Sequence, residues 1–346
     1  MKKLHATLLV LGAAFLAYLL WGFGIGQLCR ELGALGWGLI PLVLCEGVAE
    51  FIHVVGWRYC LSGPHRSLSM VHLFRIRMAG YAINYLTPTA AVGGEVTKAG
   101  LLAANHPGPE AVTGVLIGKL CFAFAHLLFV VIGSIITLWR IPLPRTAWLG
   151  MSISGALVAG GMVAFLLLQQ QGKLGAIVRW LVAHKVGGAM LRQAAHGISE
   201  VDEALKVFYR QRPLDLVRAV GWHQVGYSVG IFQTWLFFNL LHQDVSWTVA
   251  AGIWFLGMWF DLLTFAVPLN LGTLEGTRIM AFGAVGYSSL MGMTYGVALR
   301  LAQLFWSAFG LVVYGLMVKQ PARQPSVTPA LPEACRLPTK PLRTRT

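Results

Sequence analysis

Charge is what this sequence has least of. Only 12% of its 346 residues are Asp, Glu, Lys or Arg, where an ordinary soluble domain carries about 25%. Acidic residues are scarcest, 13 against 27 basic ones, while 56% of the chain is hydrophobic. A water-soluble core has no use for that much apolar surface, so a soluble catalytic domain is not expected. Cysteine is sparse as well: Cys29, Cys45, Cys60, Cys121 and Cys335 show no paired spacing, which indicates neither a disulfide framework nor a cysteine-based metal site. A phosphate-binding P-loop and a Rossmann fingerprint are missing, and the Gly-x-Ser-x-Gly spacing falls only at Gly226–Gly230, inside the apolar run Leu214–Leu241 and not at a strand-to-helix elbow. Nucleotide-driven transport and serine hydrolysis thus lack support, no cofactor or metal is expected, and an energy source would be a gradient or a partner.

What is present is long apolar runs: Leu8–Leu20, Leu39–Val55, Ala111–Leu138, Trp148–Leu168, Leu214–Leu241, Trp247–Val267 and Met291–Val318. Most reach the roughly 18–20 residues that cross a hydrocarbon core as helix. They lack the alternation of barrel strands, and backbone inside lipid must satisfy its own hydrogen bonds. The expected fold is an all-α membrane protein, a polytopic helical bundle of about six to eight spans. The first run follows Lys2 and Lys3 but is followed by Trp21, Phe23 and Ile25 and not by an Ala-x-Ala cleavage site, so it reads as an uncleaved helix.

The net charge of +14 is concentrated in two stretches. Lys173, Arg179, Lys185, Arg192, Lys206, Arg210 and Arg212 lie in 169–213, and Lys319, Arg323, Arg336, Lys340, Arg343 and Arg345 follow Val318. Positive-inside topology accounts for both, with the N-terminus and the tail cytoplasmic in a bacterial inner membrane, and nucleic acid is not an expected partner. Anionic headgroups would add about 1 kcal/mol per basic residue near the surface. Gly197–Arg212 has amphipathic helical spacing, and 319–346 has the composition of a disordered basic tail. The expected organisation is one transmembrane domain over 1–318, with halves at about 39–139 and 214–318 joined by the cytoplasmic segment 169–213.

Two segments interrupt the apolar pattern. Ala79–Ala104 carries Asn84, Pro88, Gly93, Gly94, Glu95 and Lys98; Phe265–Gly286 carries Pro268, Asn270, Gly272, Glu275, Gly276 and Arg278. Proline removes a backbone donor and glycine loosens a helix, so each reads as a broken or re-entrant helix. They align without a gap, Pro88-x6-Glu95-x-Thr97-Lys98 against Pro268-x6-Glu275-x-Thr277-Arg278. The charge-derived topology makes the two halves inverted. Inverted repeats meeting at discontinuous helices are a recurring transporter architecture, with the substrate between the broken segments. Trp247–Val267 is long enough to cross alone, which leaves full spans open as the alternative for the second unit.

Ionisable groups at membrane depth need partners or water. Glu95 and Lys98, like Glu275 and Arg278, are three apart: each pair could be a self-neutralising bridge, or the bases could contact an anionic headgroup while the acids hold them or carry a proton. Neutralising either acid is then expected to leave a folded, inactive protein. Glu46, Glu50, His53 and Trp57 form one helical stripe, whose Glu-x-x-His spacing raises a membrane metalloenzyme as a rival, although a polar stripe facing the interior is favoured. Arg58 and Arg75 sit where snorkelling anchors belong. Arg300 and Asp261 are deeper, suited to pairing with each other or with the repeat acids.

The pattern Arg75-x4-Gly80-Tyr81-x2-Asn84-x2-Thr87-Pro88-x4-Gly93-Gly94-Glu95-x2-Lys98, followed by Pro268-x3-Gly272-x2-Glu275-Gly276, resembles the flippase-like transmembrane domain of lysylphosphatidylglycerol synthases. Trp57-Arg58 and Arg300 before Phe305-Trp306 look like further family positions, and the resemblance covers roughly 5 to 320. It implies movement of a lipid across the bilayer, with synthesis left to a separate soluble domain that is not part of this sequence, so lysyl transfer is not expected. Free-standing relatives, some in a hopanoid-associated subgroup, also lack it. Together with the repeat it makes Arg75, Tyr81, Asn84, Pro88, Glu95, Lys98, Pro268, Asn270, Glu275, Arg278 and Arg300 the candidate substrate-binding and transport residues. The expected function is translocation of a phospholipid, glycolipid or hopanoid-type amphiphile, with membrane lipids and a lipid-biosynthesis enzyme as partners. The alternatives are a lipid-modifying membrane enzyme and a non-catalytic subunit that recruits one.

Overall fold

In the computed structural model, which describes residues 2–86, 92–170, 206–208, 210–264 and 267–319, the apolar runs are helices and no strand occurs among the described residues. In chain order they are α1 (Lys2–Phe23), α2 (Ile25–Leu35), α3 (Leu39–Cys60), α4 (Gly63–Arg66), α5 (Met70–Leu86) and α6 (Gly93–Asn105). They continue with α7 (Pro109–Arg140), α8 (Arg145–Gln170), α9 (Pro213–Leu240), α10 (Trp247–Leu263), α11 (Thr273–Ala284) and α12 (Ser289–Lys319). Local chemistry sets several of the starts. Pro109 and Pro213 occupy first turns, where a missing N–H leaves no helical bond unmade. The Ser246 hydroxyl accepts the Val249 N–H at 3.3 Å and caps α10.

Ile25–Cys60, Pro109–Arg140, Arg145–Ala164 and Ser289–Lys319 are long and apolar enough to cross a bilayer. α9 is more polar, but its 28 residues lie flush against α3 and so share its depth. Leu44, Ile135, Leu157 and Val312 are exposed on these helices, as a hydrocarbon solvent requires. α2 lies between the first two apolar runs; it buries Leu28 and Leu35 on one face and packs on α12.

α3, α5, α6 and α7 correspond in order to α9, α10, α11 and α12. α5 and α10 are each 17 residues long, α6 and α11 are 13 and 12, and α7 and α12 are 32 and 31. The packing follows the same relation, because α5 rests on α12 as α10 rests on α7. The two halves meet along α3 and α9. A side-chain carbon on Gly56 would strike the His223 ring and the Ala219 carbonyl, and one on Gly226 would strike the His53 ring. Each histidine therefore fills the space above the other helix's glycine. The contacts run from Gly226 to Ala219 along α9 as they run from His53 to Gly56 along α3, so equivalent helices are antiparallel. A twofold relation between them has its axis across both helices, which inverts one half relative to the other.

Both broken segments are hairpins. In the first, Gly80 and Asn84 of α5 lie beside Lys98 and Gly94 of α6; in the second, Gly257 and Asp261 of α10 lie beside Arg278 of α11. The chain turns back after Leu263, so α10 is one arm of a hairpin and not a full span. α1 braces this second hairpin, with Phe15 against Gly276 and its backbone near Gly12 close to Gly272. The amphipathic pattern at 197–212 lies largely, and the tail after Lys319 wholly, outside the described residues.

Candidate functional site

The hairpins face each other across a polar cavity with two lobes. The larger, about 420 Å³, is lined by Arg77, Tyr81, Asn84, Tyr85, Glu95, Lys98 and Lys119, with Trp57 and Phe122. The smaller, about 190 Å³, is lined by Glu46, Glu50, His53, His126, Asp261 and Arg278 among others. Glu50, Phe122 and Asn270 border both lobes.

The larger lobe holds three cations and two carboxylates. Arg77 Nε meets Glu50 Oε2 at 2.5 Å, Lys98 pairs with Glu95, and Lys119 Nζ reaches the other Glu95 oxygen at 3.4 Å. One positive charge is in excess, and the Lys119 side chain is 38% exposed. Lys98 also lies 5.6 Å from the Trp57 ring centroid, and Arg77 lies 5.2 Å from that of Phe122. Helix α6 can approach α5 this closely because both faces are glycine. A side chain on Gly94 would strike the Gly80 carbonyl and the Asn84 amide, and Asn84 Oδ1 accepts the Gly94 N–H at 2.7 Å.

The second hairpin exchanges partners. Arg278 Nη2 donates to Asp261 Oδ2 at 2.7 Å, with the Thr277 hydroxyl 2.7 Å from Oδ1, and Glu275 turns instead to Arg300. All five N–H groups of Arg300 are used. Nε and Nη2 hold Glu275 at 2.8 and 3.0 Å, Nη1 and Nη2 each donate at 2.7 Å to the Leu269 and Asn270 carbonyls, and Nη1 reaches the Tyr85 hydroxyl at 3.2 Å. Leu269 (φ 60°) and Asn270 (φ 46°) are left-handed, a conformation that costs about 1–3 kcal/mol per non-glycine residue. The guanidinium offsets that cost by collecting their carbonyls.

A sequence profile of the lysylphosphatidylglycerol synthase TM region matches residues 6–310. The chain belongs to this family. A further relative is a UPF0104 membrane protein of Methanothermobacter thermautotrophicus, 24% identical over 331 residues, which span 90% of this chain and 95% of that protein. No solved structure matches the chain.

Of the residues singled out by family resemblance and repeat, Tyr81, Asn84, Glu95, Lys98, Asn270 and Arg278 border the cavity. Glu275, 1% exposed, and Arg300 hold the second break together and line neither lobe. Pro268 opens the short turn Pro268–Asn270 of that break. Pro88 lies outside the described residues. Arg75 lines neither lobe; Arg77 stands there instead, and the spacing of Arg77, Tyr81, Asn84 and Tyr85 is the helical signal that could have found it. Lys119, the one charged residue within the apolar run Ala111–Leu138, carried no such signal. The Glu46 stripe faces inward, and its members have partners other than one another. Glu50 holds Arg77, Trp57 Nε1 donates to the Gly114 carbonyl at 3.2 Å, and His53 Nδ1 lies 3.0 Å from His223 Nδ1. Among the described residues no three His, Cys, Asp or Glu side chains come together as a metal set.

Proposed function

We propose that this family member is a lipid translocase in which a headgroup passes through the cavity between the inverted hairpins while the acyl chains remain in the bilayer. The observation that carries the reading is the larger lobe: a polar space of about 420 Å³ with an excess cation, set between helices whose outer faces are apolar. Its Lys98, Lys119 and Arg77 suit the phosphate of a phospholipid or phosphate-bearing glycolipid. The inverted halves supply two arrangements of similar energy, one open to each leaflet, between which a bound headgroup is carried. The distribution of Lys and Arg supports an inner-membrane location with both ends cytoplasmic. The family's two-domain synthases supply the precedent of a lipid enzyme as partner. Liposomes containing the purified chain are expected to exchange fluorescent phosphatidylglycerol between leaflets several-fold faster than protein-free liposomes. Equal rates for every phospholipid tested, with a pH or voltage gradient imposed, would contradict the proposal.

A further inference from the structure

At the centre of the α3–α9 crossing, on the axis relating the two halves, His53 and His223 are 4% and 0% exposed, with Nδ1 atoms 3.0 Å apart. That hydrogen bond requires N–H on one Nδ1 and a lone pair on the other. While the bond lasts, the pair can take up one extra proton, on the donor's Nε2; a second would place N–H on both Nδ1 atoms and break it. His223 Nε2 is buried and has no partner, and His53 borders the smaller lobe. Phe122 and Tyr227 pack their rings on the pair and enclose it. A buried imidazole nitrogen without a partner costs stability.

Every element around the pair brings a titratable or charged group toward it. Arg77 comes from α5 and Lys98 from α6. α7 brings His126 and Lys119, α9 brings Tyr227, α3 itself carries Glu46 and Glu50, and α10 places Asp261 near His126. On α12, Arg300 is taken up by its own five acceptors. α11 brings Arg278 to the lobe that His53 borders. The first hairpin's charges nearest the rings are those of Arg77 and Lys98, and an anion lying among them favours an imidazolium.

Resting on the translocase reading, we propose that the His53–His223 pair is a proton-binding site coupled to the headgroup cavity, so that an anionic headgroup entering the larger lobe draws one proton onto the pair. The coupling is reciprocal: a headgroup that screens Arg77 and Lys98 raises the proton affinity of the pair, and a proton on the pair raises affinity for the headgroup by the same factor. Its place on the axis leaves the pair accessible to the same influence from the second hairpin when the halves exchange arrangements.

The test is calorimetric. Dihexanoyl phosphatidylglycerol is titrated into the full-length protein in detergent, at about pH 6.5 where free histidine is half protonated, in two buffers of different ionisation enthalpy. Wild type is expected to take up a fraction of a proton per lipid bound. His53→Gln and His223→Gln, folded by gel filtration and circular dichroism, should bind the lipid with that uptake lost. Binding without uptake in wild type, or equal uptake in both variants, overturns the proposal. Absence of binding altogether would contradict the translocase reading, and histidine NMR of the lipid-free protein then decides on the pair. A single protonation step shared by two coupled imidazoles and lost in His53→Gln supports it, and two imidazoles that never titrate between about pH 4 and 9 overturn it.

Discussion

Arg300→Ala is expected to be the most destabilising single substitution in the second half, lowering stability by about 3–5 kcal/mol, the cost of leaving one member of a buried ion pair behind. Glu275, 1% exposed, would lose both charged donors, and the Leu269 and Asn270 carbonyls would lose the group that draws a left-handed turn together. The Tyr85 hydroxyl would lose its link as well, which frees the first hairpin from the second. Arg300→Lys keeps the charge but not the planar fork, so it should recover only part of the loss. The double variant Glu275→Gln with Arg300→Gln should be more stable than Arg300→Ala, since it buries no unpaired charge. Thermal unfolding in detergent checks the series. A melting temperature for Arg300→Ala within about 2 °C of wild type, where each kcal/mol moves a large domain by roughly that much, would remove Arg300 from this structural role.

Lys98→Met is expected to act oppositely, sparing the fold and disabling transport. Methionine keeps the apolar stem beside Trp57 and the contact over Gly80, and Glu95 retains Lys119 at 3.4 Å. What disappears is a charged donor facing the larger lobe. Hydrogen bonds to charged groups contribute about 1.5–3 kcal/mol, so lipid exchange should fall by about 10- to 100-fold at limiting lipid. Lys98→Arg should retain much of the activity. The two repeat acids separate on the same grounds. Glu95→Gln leaves a folded protein with altered exchange, because the lobe around it is partly open. Glu275→Gln leaves Arg300 buried without the carboxylate that balances its charge, and loses stability first. The expectation that neutralising either acid gives a folded, inactive protein is thus narrowed to Glu95.

Helical content, the interruptions between Leu86 and Gly93 and between Leu263 and Thr273, and the matched motifs around Glu95 and Glu275 were legible because each depends on local chemistry: apolar run length, helix-breaking residues, a repeated spacing. The rest depended on distances that a sequence does not carry. The second break, 264–272, is three residues longer than the first, 87–92. A gapless alignment through the prolines therefore hides that Gly80 corresponds to Gly257 and Asn84 to Asp261, although Gly80 lies against Lys98 as Gly257 lies against Arg278, and Asn84 and Asp261 each bind the facing helix, at Gly94 and Arg278. Spacing of three allowed a Glu275–Arg278 bridge as one of two readings, beside Glu95–Lys98. Asp261 and Arg300 compete for those partners from other helices, and they win because both new pairs are tied into further hydrogen bonds. The His53–Gly56 and His223–Gly226 spacings match as well, but residues this ordinary mean little until their helices are seen to cross.

The claim that the cavity is a path through the membrane, and not a groove open to one leaflet, is tested most directly by thiol labelling. Lys119→Cys, in a chain whose five native cysteines are replaced, places a reactive group in the larger lobe. An impermeant maleimide applied to oriented vesicles should label it from either side, with labelling from each face slowed by phosphatidylglycerol in that leaflet. Labelling from one face alone, unchanged by lipid or by an imposed gradient, would contradict alternating access and leave a one-sided binding groove.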